Sequence, residues 1–228
     1  MGFSRNLTNS IQYFLRSECY NKREGVLFNR VTSIIYEVDS NVKGFWSLKE
    51  PVRVYRNGDL VDENEYNVSY ITGRIVFNSD QVAEDIITAD FGLNWCTVLD
   101  SFPDTPFEQC VITVEQGMSN SSPLELGGNS RWIYTQFFLN VYPESTARRD
   151  DYSQFVRDLL DTRDIPLLDY GDGFPLNTNG TINQNYVEKR IGTISFEAIS
   201  VTPNPTGSGD ETEKNRALIR TIAVSERY

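Results

Sequence analysis

Apolar and polar residues alternate with different periods along the chain, and the first segment has the period of a helix. Its apolar residues recur at steps of three and four: Phe3, Leu7, Ile11, Phe14 and Leu15. This spacing predicts an amphipathic helix of about four turns. We expect Asn21, Lys22 and Gly25 to end it. The next segment, "RVTSIIYEVDS", alternates and is rich in β-branched residues, so it predicts a strand that ends near Ser40.

Residues 51–92 predict a small antiparallel module. The segment "VRVYRNGDLV" places two apolar runs around Asn57-Gly58, which is a strong signal for a two-residue hairpin turn. The segment "YNVSYITGRIVFN" repeats this arrangement around Thr72-Gly73, and "DIITADFGL" adds a last alternating run. We interpret residues 51–92 as an inserted or appended β-hairpin module of four or five strands.

The stretch from Arg131 to Leu160 changes its period halfway. Arg131–Val141 carries apolar residues on both faces, which predicts a central strand of a sheet covered on two sides, and Pro143 ends it. From about Thr146 the apolar residues follow a helical stripe: Tyr152, Phe155, Val156, Leu159 and Leu160. This stripe is typical of a helix that lies on a sheet.

The remaining segments complete the predicted core. Strands are expected at "CVITVEQG", "IPLLDY", "KRIGTISFEAISV" and "RALIRTIAVSE", and the last two are expected to be antiparallel neighbours. The segments "SNSSPLELGGNS", "GDGFPLNTNGTINQN" and "TPNPTGSGDETEKN" have the composition of loops. The fold class is therefore α+β. Residues 1–50 and 93–228 form a mixed, largely antiparallel sheet flanked by two helices, and residues 51–92 add the β module.

The composition narrows the chemistry that these elements can carry. The 228 residues include no histidine, and the cysteines Cys19, Cys96 and Cys110 are far apart. Since histidine is the usual general base and the commonest metal ligand, this argues against Ser-His or Cys-His catalysis and against a zinc site. The formal net charge of −11 disfavours stable binding of DNA or RNA. No apolar run is long enough to span a membrane, and the first residues lack the pattern of a secretion signal.

Three local motifs have a functional and a simpler interpretation. "GDG", with Asp169 and Asp172, could hold a cation, but the acidic residues do not keep the register of a calcium loop, so we expect a turn. "ELGGNS" at Glu125–Ser130 lacks the ending and the following helix of a phosphate loop, so we expect a plain loop. Paired carboxylates cannot be singled out, because 32 acidic residues offer many pairs. We predict no catalytic residue, metal ligand or cofactor site.

The start of the second predicted helix carries two positive and two negative side chains in succession. These are Arg148, Arg149, Asp150 and Asp151. One interpretation is a charged, partly solvated helix start, in which the aspartates near the first turn favour the helix dipole. The other is a subunit contact, in which Arg–carboxylate pairs form across an oligomer interface.

Two long segments resemble proteins of tailed bacteriophages. The first, "VRVYRNGDLVDENEYNVSYITGRIVFNSDQVAEDIITADF", is similar to small β modules that recur in virion proteins. The second, "LELGGNSRWIYTQFFLNVYPESTARRDDYSQFVRDLLDTRDIPLLDYGDGFP", resembles neck and tail-completion proteins. In those, an aromatic strand is followed by a helix with an "R-D-D" start and then by an "I-P-L/I-x-D-Y" strand.

The resemblance implies a non-enzymatic ring protein of the virion neck, assembled in the host cytoplasm. Within the neck the resemblance implies the tail terminator, which caps the tail tube; a head–tail connector, adaptor or other neck component is the alternative. The implied partners are copies of the chain in a hexameric or dodecameric ring, the tail tube protein, the neck connector protein, and DNA that passes without specific binding. In such a ring, long loops such as Pro203–Asn215 could order on contact with a neighbouring ring, and the sequence leaves this open.

Two further classes stay open on the sequence. A receptor- or glycan-binding β module of a tail fibre or baseplate would use exposed aromatics, of which the chain offers 12 tyrosines and 3 tryptophans. An enzyme with two facing carboxylates would need a pocket that holds both acids about 5 to 10 Å apart.

Overall fold

The computed structural model describes residues 3–39, 44–101, 109–123, 131–203 and 215–227, and these form two compact units. Unit 1 consists of Met1–Leu15, Cys96–Gly171 and Glu188–Tyr228, and unit 2 of Arg16–Trp95 and Asp172–Val187. Unit 2 contains the predicted module 51–92 and extends beyond it on both sides.

In chain order the described elements are α1 (Phe3–Glu18), β1 (Tyr20–Leu27), β2 (Asn29–Arg30), β3 (Ile35–Glu37), β4 (Arg53–Arg56), β5 (Asp59–Leu60), β6 (Tyr66–Ser69), β7 (Arg74–Phe77), β8 (Ile87–Asn94), β9 (Cys96–Leu99), β10 (Cys110–Pro123), β11 (Arg131–Tyr142), α2 (Thr146–Thr162), β12 (Ile165–Leu168), β13 (Arg190–Pro203) and β14 (Ala217–Arg227). A short 3-10 turn, Glu63–Glu65, precedes β6. Helices and antiparallel sheets in one chain confirm the predicted α+β class.

Unit 1 is built on a six-stranded sheet with the order β12-β13-β14-β11-β10-β9. Only β9 and β10 pair in parallel, and the other neighbours are antiparallel. Strand β11 lies in the interior of the sheet, as predicted, and its second half is buried from Leu139 to Tyr142. The predicted antiparallel pairing of β13 with β14 is also confirmed.

Helix α2 covers this sheet through contacts with β11, β13 and β14. Val156, Leu159 and Leu160 are buried, as the helical stripe predicted. The prediction was wrong for Phe155, which is 41% exposed. Phe155 lies at the margin of the stripe, so periodicity alone placed it on the buried face.

Helix α1 uses polar as well as apolar residues on its buried face. Leu7, Ile11 and Leu15 are fully buried, which confirms the predicted amphipathic helix. Asn6 and Ser10 are also buried, and both accept hydrogen bonds from backbone N–H groups at or just after the end of β12: Ser10 Oγ from Leu168 at 2.9 Å and Asn6 Oδ1 from Tyr170 at 3.3 Å. These bonds satisfy polar groups that would otherwise be costly to bury.

The end of α1 differs from the prediction. The helix ends at Glu18, and Asn21, Lys22 and Gly25 lie inside strand β1 instead of forming a stop. Most side chains of β1 are exposed, so the strand has no alternating pattern to reveal it. The predicted strand "RVTSIIYEVDS" is also interrupted. Thr32 Oγ1 accepts from the amide of Ile35 at 3.0 Å, and this turn separates β2 from β3.

Unit 2 contains two four-stranded sheets, β1-β8-β4-β5 and β2-β3-β7-β6. Residues 51–92 contain five of these strands, β4 to β8, which agrees with the four or five antiparallel strands predicted, but their two hairpins belong to different sheets. The turn at Asn57-Gly58 is confirmed: Arg56 pairs with Asp59, and both turn residues have positive φ. At Thr72-Gly73 the connection has four residues, since Ser69 pairs with Arg74.

The core of unit 2 is aromatic and is shared by both of its sheets. Trp46 and Phe91 stack with ring centroids 4.1 Å apart, and Phe28 packs edge-on against both. Tyr36 and Tyr66 pack edge-on against Phe77 at 5.6 and 6.2 Å. Stacked and edge-to-face pairs of this kind add to the stabilisation from burial.

Two predicted loops are corrected or lie outside the described residues. Strand β10 continues to Pro123, so the first part of "SNSSPLELGGNS" is strand and not loop. Glu125–Ser130 and residues 204–214 of the Pro203–Asn215 loop fall outside the part of the chain that the structure describes.

Candidate functional site

The four charged residues at the start of α2 do not form one surface group. Arg148 is exposed: its side chain retains 60% of its accessible area, and Nη1 donates to Glu144 Oε1 at 2.7 Å and to the Tyr152 hydroxyl at 2.8 Å. The hydrogen bond to Tyr152 is the largest cause, and together with the contact to Glu144 it raises the pKa of Arg148 above its usual value. Asp151 is exposed on the same helix.

Arg149 differs from Arg148 although the two are adjacent. Only 16% of its side chain is exposed, and Nε donates to Asp150 Oδ1 at 2.9 Å. Asp150 itself is 73% exposed. Arg149 therefore has little surface to offer a partner, whereas Arg148, Asp150 and Asp151 are accessible.

The sheet of unit 1 has a second feature that the sequence did not indicate. Strand β9 pairs only with Cys110–Thr113 of β10, so no described strand pairs with the outer edge of β10 from Val114 to Pro123. On the opposite side, β12 pairs with β13 only as far as Ile194. The outer edge of β13 from Ser195 to Pro203 likewise has no strand partner among the described residues. We call these two stretches the β10 edge and the β13 edge.

Each open edge contains a bulge. The register of β10 shifts between Gln116 and Ser119, and that of β13 between Glu197 and Ser200. Ala198, inside the second bulge, has φ of +52°, a conformation that costs energy for any residue except glycine. Bulges and strain of this kind recur where an edge must not pair with every strand it meets. The two bulges therefore interrupt the regular ladder at both edges.

Unit 2 carries a groove of about 740 Å³ beside strand β6. Its lining comes from residues 48–52, from residues 63–70 and from residues 177–185, and we call the last of these segments the wall of the groove. Tyr66 and Tyr70 are among the lining residues, and burial raises the pKa of Tyr70 to about 12. Sequence patterns could not reveal the groove, because its lining comes from segments that are far apart in the chain.

The "GDG" motif forms a turn, as expected. Asp169 Oδ1 accepts from the amide of Gly171 at 3.0 Å and from Asn6 Nδ2 at 3.2 Å. These bonds, with Lys189 nearby, lower the pKa of Asp169. In the described ranges no group of three acidic, cysteine or histidine side chains could hold a metal ion. Nor is either described helix long and apolar enough to cross a membrane.

Comparison with known proteins adds no assignment. No family model, curated protein or solved structure matches the chain.

Proposed function

We propose that the chain is a structural protein of the head–tail junction of a tailed phage, where its copies form a ring around the DNA channel. Within the neck we assign it the place of the tail terminator, which caps the tail tube and joins it to the connector. The resemblance of two segments to phage virion proteins supports the assignment of the chain to a phage particle. The two open edges of the unit 1 sheet support the assembly, and they are the observation that carries the proposal.

The two edges are matched in direction. Strand β10 is antiparallel to β11, β11 to β14, and β14 to β13, so β10 and β13 run in opposite directions. The β10 edge of one copy and the β13 edge of the next can therefore pair as an antiparallel ladder. Because the two edges differ, the contact is head-to-tail, and a head-to-tail contact closes into a ring when its rotation fits.

The two edges also lie at the same position along the strand direction. Val114 pairs with Leu139, Leu139 with Ile219, and Ile219 with Val201. Asn120 reaches Ser195 in the same way, through Tyr134 and Val224. Residues 114–120 and 195–201 thus lie at the same position along the strand direction, and we call such residues level. Neighbouring copies can therefore pair without a shift along the strands. A contact without such a shift favours a closed ring over a rising filament.

The charge of the chain suits a ring through which DNA passes. A formal net charge of −11 repels phosphates and prevents tight retention of the duplex.

Disulfide trapping tests the edge pairing directly. Asn120 and Ser195 are exposed and level, so the double variant Asn120→Cys/Ser195→Cys should cross-link adjacent copies on oxidation. Within one copy three strand spacings separate the two positions, about 14 Å, which is too far for a disulfide. The native cysteines are buried and do not compete.

In the matched control, one cysteine is shifted along its strand, so that the two cysteines are no longer level. Ser200 lies level with Glu115, several residues from Asn120, so Asn120→Cys/Ser200→Cys should not cross-link. A closed ring gives a ladder of bands that stops at the ring order. Equal cross-linking of both double variants, or of neither, would refute the pairing of these two edges.

A further inference from the structure

Strand β6 is the edge of its sheet, and its hydrogen-bonding direction can be read from its neighbour. The amide of Phe77 donates to Ile34, on the far side of β7, so the Tyr66–Phe77 pair exchanges no hydrogen bonds. The backbone groups of Tyr66 therefore point away from β7. Since the direction alternates, those of Val68 and Tyr70 point the same way.

One of these three positions already has partners. The amide of Tyr70 donates to the carbonyl of Gly180 at 2.9 Å, and its carbonyl accepts from the amide of Trp46 at 2.7 Å. The outward N–H and C=O groups of Tyr66 and Val68 have no backbone partner among the described residues. The segment that contains Gly180 thus adds one rung beside β6 and leaves the next two rungs open.

The open rungs face the groove of about 740 Å³, which is lined by Tyr66, Val68 and residues 177–185. This volume lies in the range of sites that bury small ligands or short segments. Among the described residues, Glu63 is the only charged member of its lining, and several others are amides. A strongly charged ligand is therefore disfavoured, and a neutral chain with at most one basic side chain fits the charge.

The amides of the groove have two roles. Asn177 Nδ2 donates to Thr181 Oγ1 at 3.1 Å and Asn183 Nδ2 donates to the carbonyl of Phe174 at 3.0 Å, so both hold the wall in place. Gln184 and Asn185 are exposed and line the same wall. Their side-chain amides can donate to and accept from a peptide backbone or a polar side chain.

We propose that this groove binds an extended peptide segment of a partner protein, which pairs with β6 at Tyr66 and Val68 and carries uncharged polar side chains with at most one basic residue. Addition of a strand to an exposed edge gives affinity through main-chain hydrogen bonds. Specificity comes from the amide wall and from Glu63. The site belongs to unit 2 and does not depend on ring formation by unit 1.

Proline substitution separates strand pairing from side-chain contact. Val68→Pro removes an N–H that points out of the sheet, so it spares the pairing with β7, and edge strands tolerate proline at such positions. Val68→Ala keeps the N–H and shortens the side chain. The probe is a library of eight-residue peptides in which Val or Thr alternates with Ser, Asn, Gln or Lys. It is selected on the full chain, and the enriched peptide is measured by fluorescence polarisation.

The expected result is binding to wild type and to Val68→Ala, with at least a tenfold loss for Val68→Pro at unchanged thermal stability. N-methylation of alternate peptide residues should abolish binding. Gln184→Ala/Asn185→Ala should weaken it, whereas the matched control Asn21→Ala, an exposed amide outside the groove, should not.

Three outcomes would overturn the proposal. The first is that no peptide is enriched on wild type over Val68→Pro. The second is binding that survives N-methylation. The third is a saturation-transfer NMR signal from maltohexaose or chitohexaose that is lost in Gln184→Ala/Asn185→Ala and kept in Val68→Pro, because this pattern assigns the groove to a neutral sugar.

Discussion

The amide of Tyr70 donates to the carbonyl of Gly180 at 2.9 Å, and this bond ties a late loop to a sheet formed much earlier in the chain. Gly180 has φ of +83°, and a Cβ there would lie 2.8 Å from Ser69 Oγ and 2.9 Å from Ile71 Cβ. The position therefore needs glycine for its backbone conformation and for lack of space. The wall of the groove in unit 2 therefore depends on the glycine at position 180.

We expect Gly180→Ala to lower the free energy of unfolding by about 2 to 4 kcal/mol, because it adds a steric clash to the cost of a left-handed backbone. Gly25→Ala is the control: Gly25 has φ of +62° and nothing within 4 Å of its added Cβ, so only the conformational cost applies, about 1 to 2 kcal/mol. Urea unfolding and hydrogen exchange of the Tyr70 amide measure both. Equal losses in the two variants would show that space at Gly180 is not limiting.

The core of unit 2 offers a second matched pair. The hydroxyl of Tyr36 is buried without a hydrogen-bond partner among the described residues, whereas that of Tyr66 donates to the carbonyl of Val52 at 3.1 Å. Both rings pack against Phe77. Tyr36→Phe should be neutral or stabilise by up to about 1 kcal/mol, and Tyr66→Phe should destabilise by about 1 kcal/mol. Denaturant unfolding of both variants checks the difference, and a larger loss for Tyr36→Phe would contradict it.

The lowered pKa of Asp169 gives a prediction for acid stability. The carboxylate accepts from Gly171 and Asn6, so its folded pKa lies below its unfolded value of about 3.9. Its contribution to stability is therefore present above that value and is lost as the pH falls through the folded pKa. Asp169→Asn should be less stable than wild type at pH 7, and the difference should shrink below about pH 4.

Unfolding curves at several pH values measure this difference. Asp172→Asn is the control, since Asp172 is exposed and lies in the same turn. If the gap between Asp169→Asn and wild type stays constant down to pH 2, the carboxylate bonds to Gly171 and Asn6 do not carry it.

The two adjacent arginines of α2 should respond differently to charge reversal. Arg148→Glu changes an exposed side chain, so it should leave the stability of the fold nearly unchanged while weakening assembly. Arg149→Glu places a carboxylate at a mostly covered position beside Asp150 and should destabilise the fold by about 1 to 3 kcal/mol. Thermal unfolding and light scattering separate the two effects. Normal assembly of Arg148→Glu would mean that Arg148 is solvated and forms no subunit contact.

The sequence predicted the elements whose burial repeats with a clear period. Strand β11 and helix α2 were found because Leu139, Val156 and Leu160 all face the core of unit 1. Strand β1 was missed because its side chains are mostly exposed, so neither face carries an apolar repeat. Phe155 shows the reverse case, since an apolar residue in the right register is exposed.

The candidate sites were harder to predict because they depend on strand order and on contacts between distant segments. The pairing of β9 with β10 and of β12 with β13 determines which strands form the edges. Local sequence patterns do not encode this pairing. The groove requires Val68 and Asn185, which are far apart in the chain, to line the same space. The four charged residues from Arg148 to Asp151 could be recognised from the sequence, but the burial of Arg149 could not.

The mass of the assembled full chain, measured by light scattering together with electron-microscope images, tests the central claim most directly. The account predicts a closed ring of one defined order, and it predicts that the ring is retained at high salt because backbone ladders, unlike surface ion pairs, are little screened. A strictly monomeric chain at every concentration, or open filaments of unlimited length, would contradict the proposed ring.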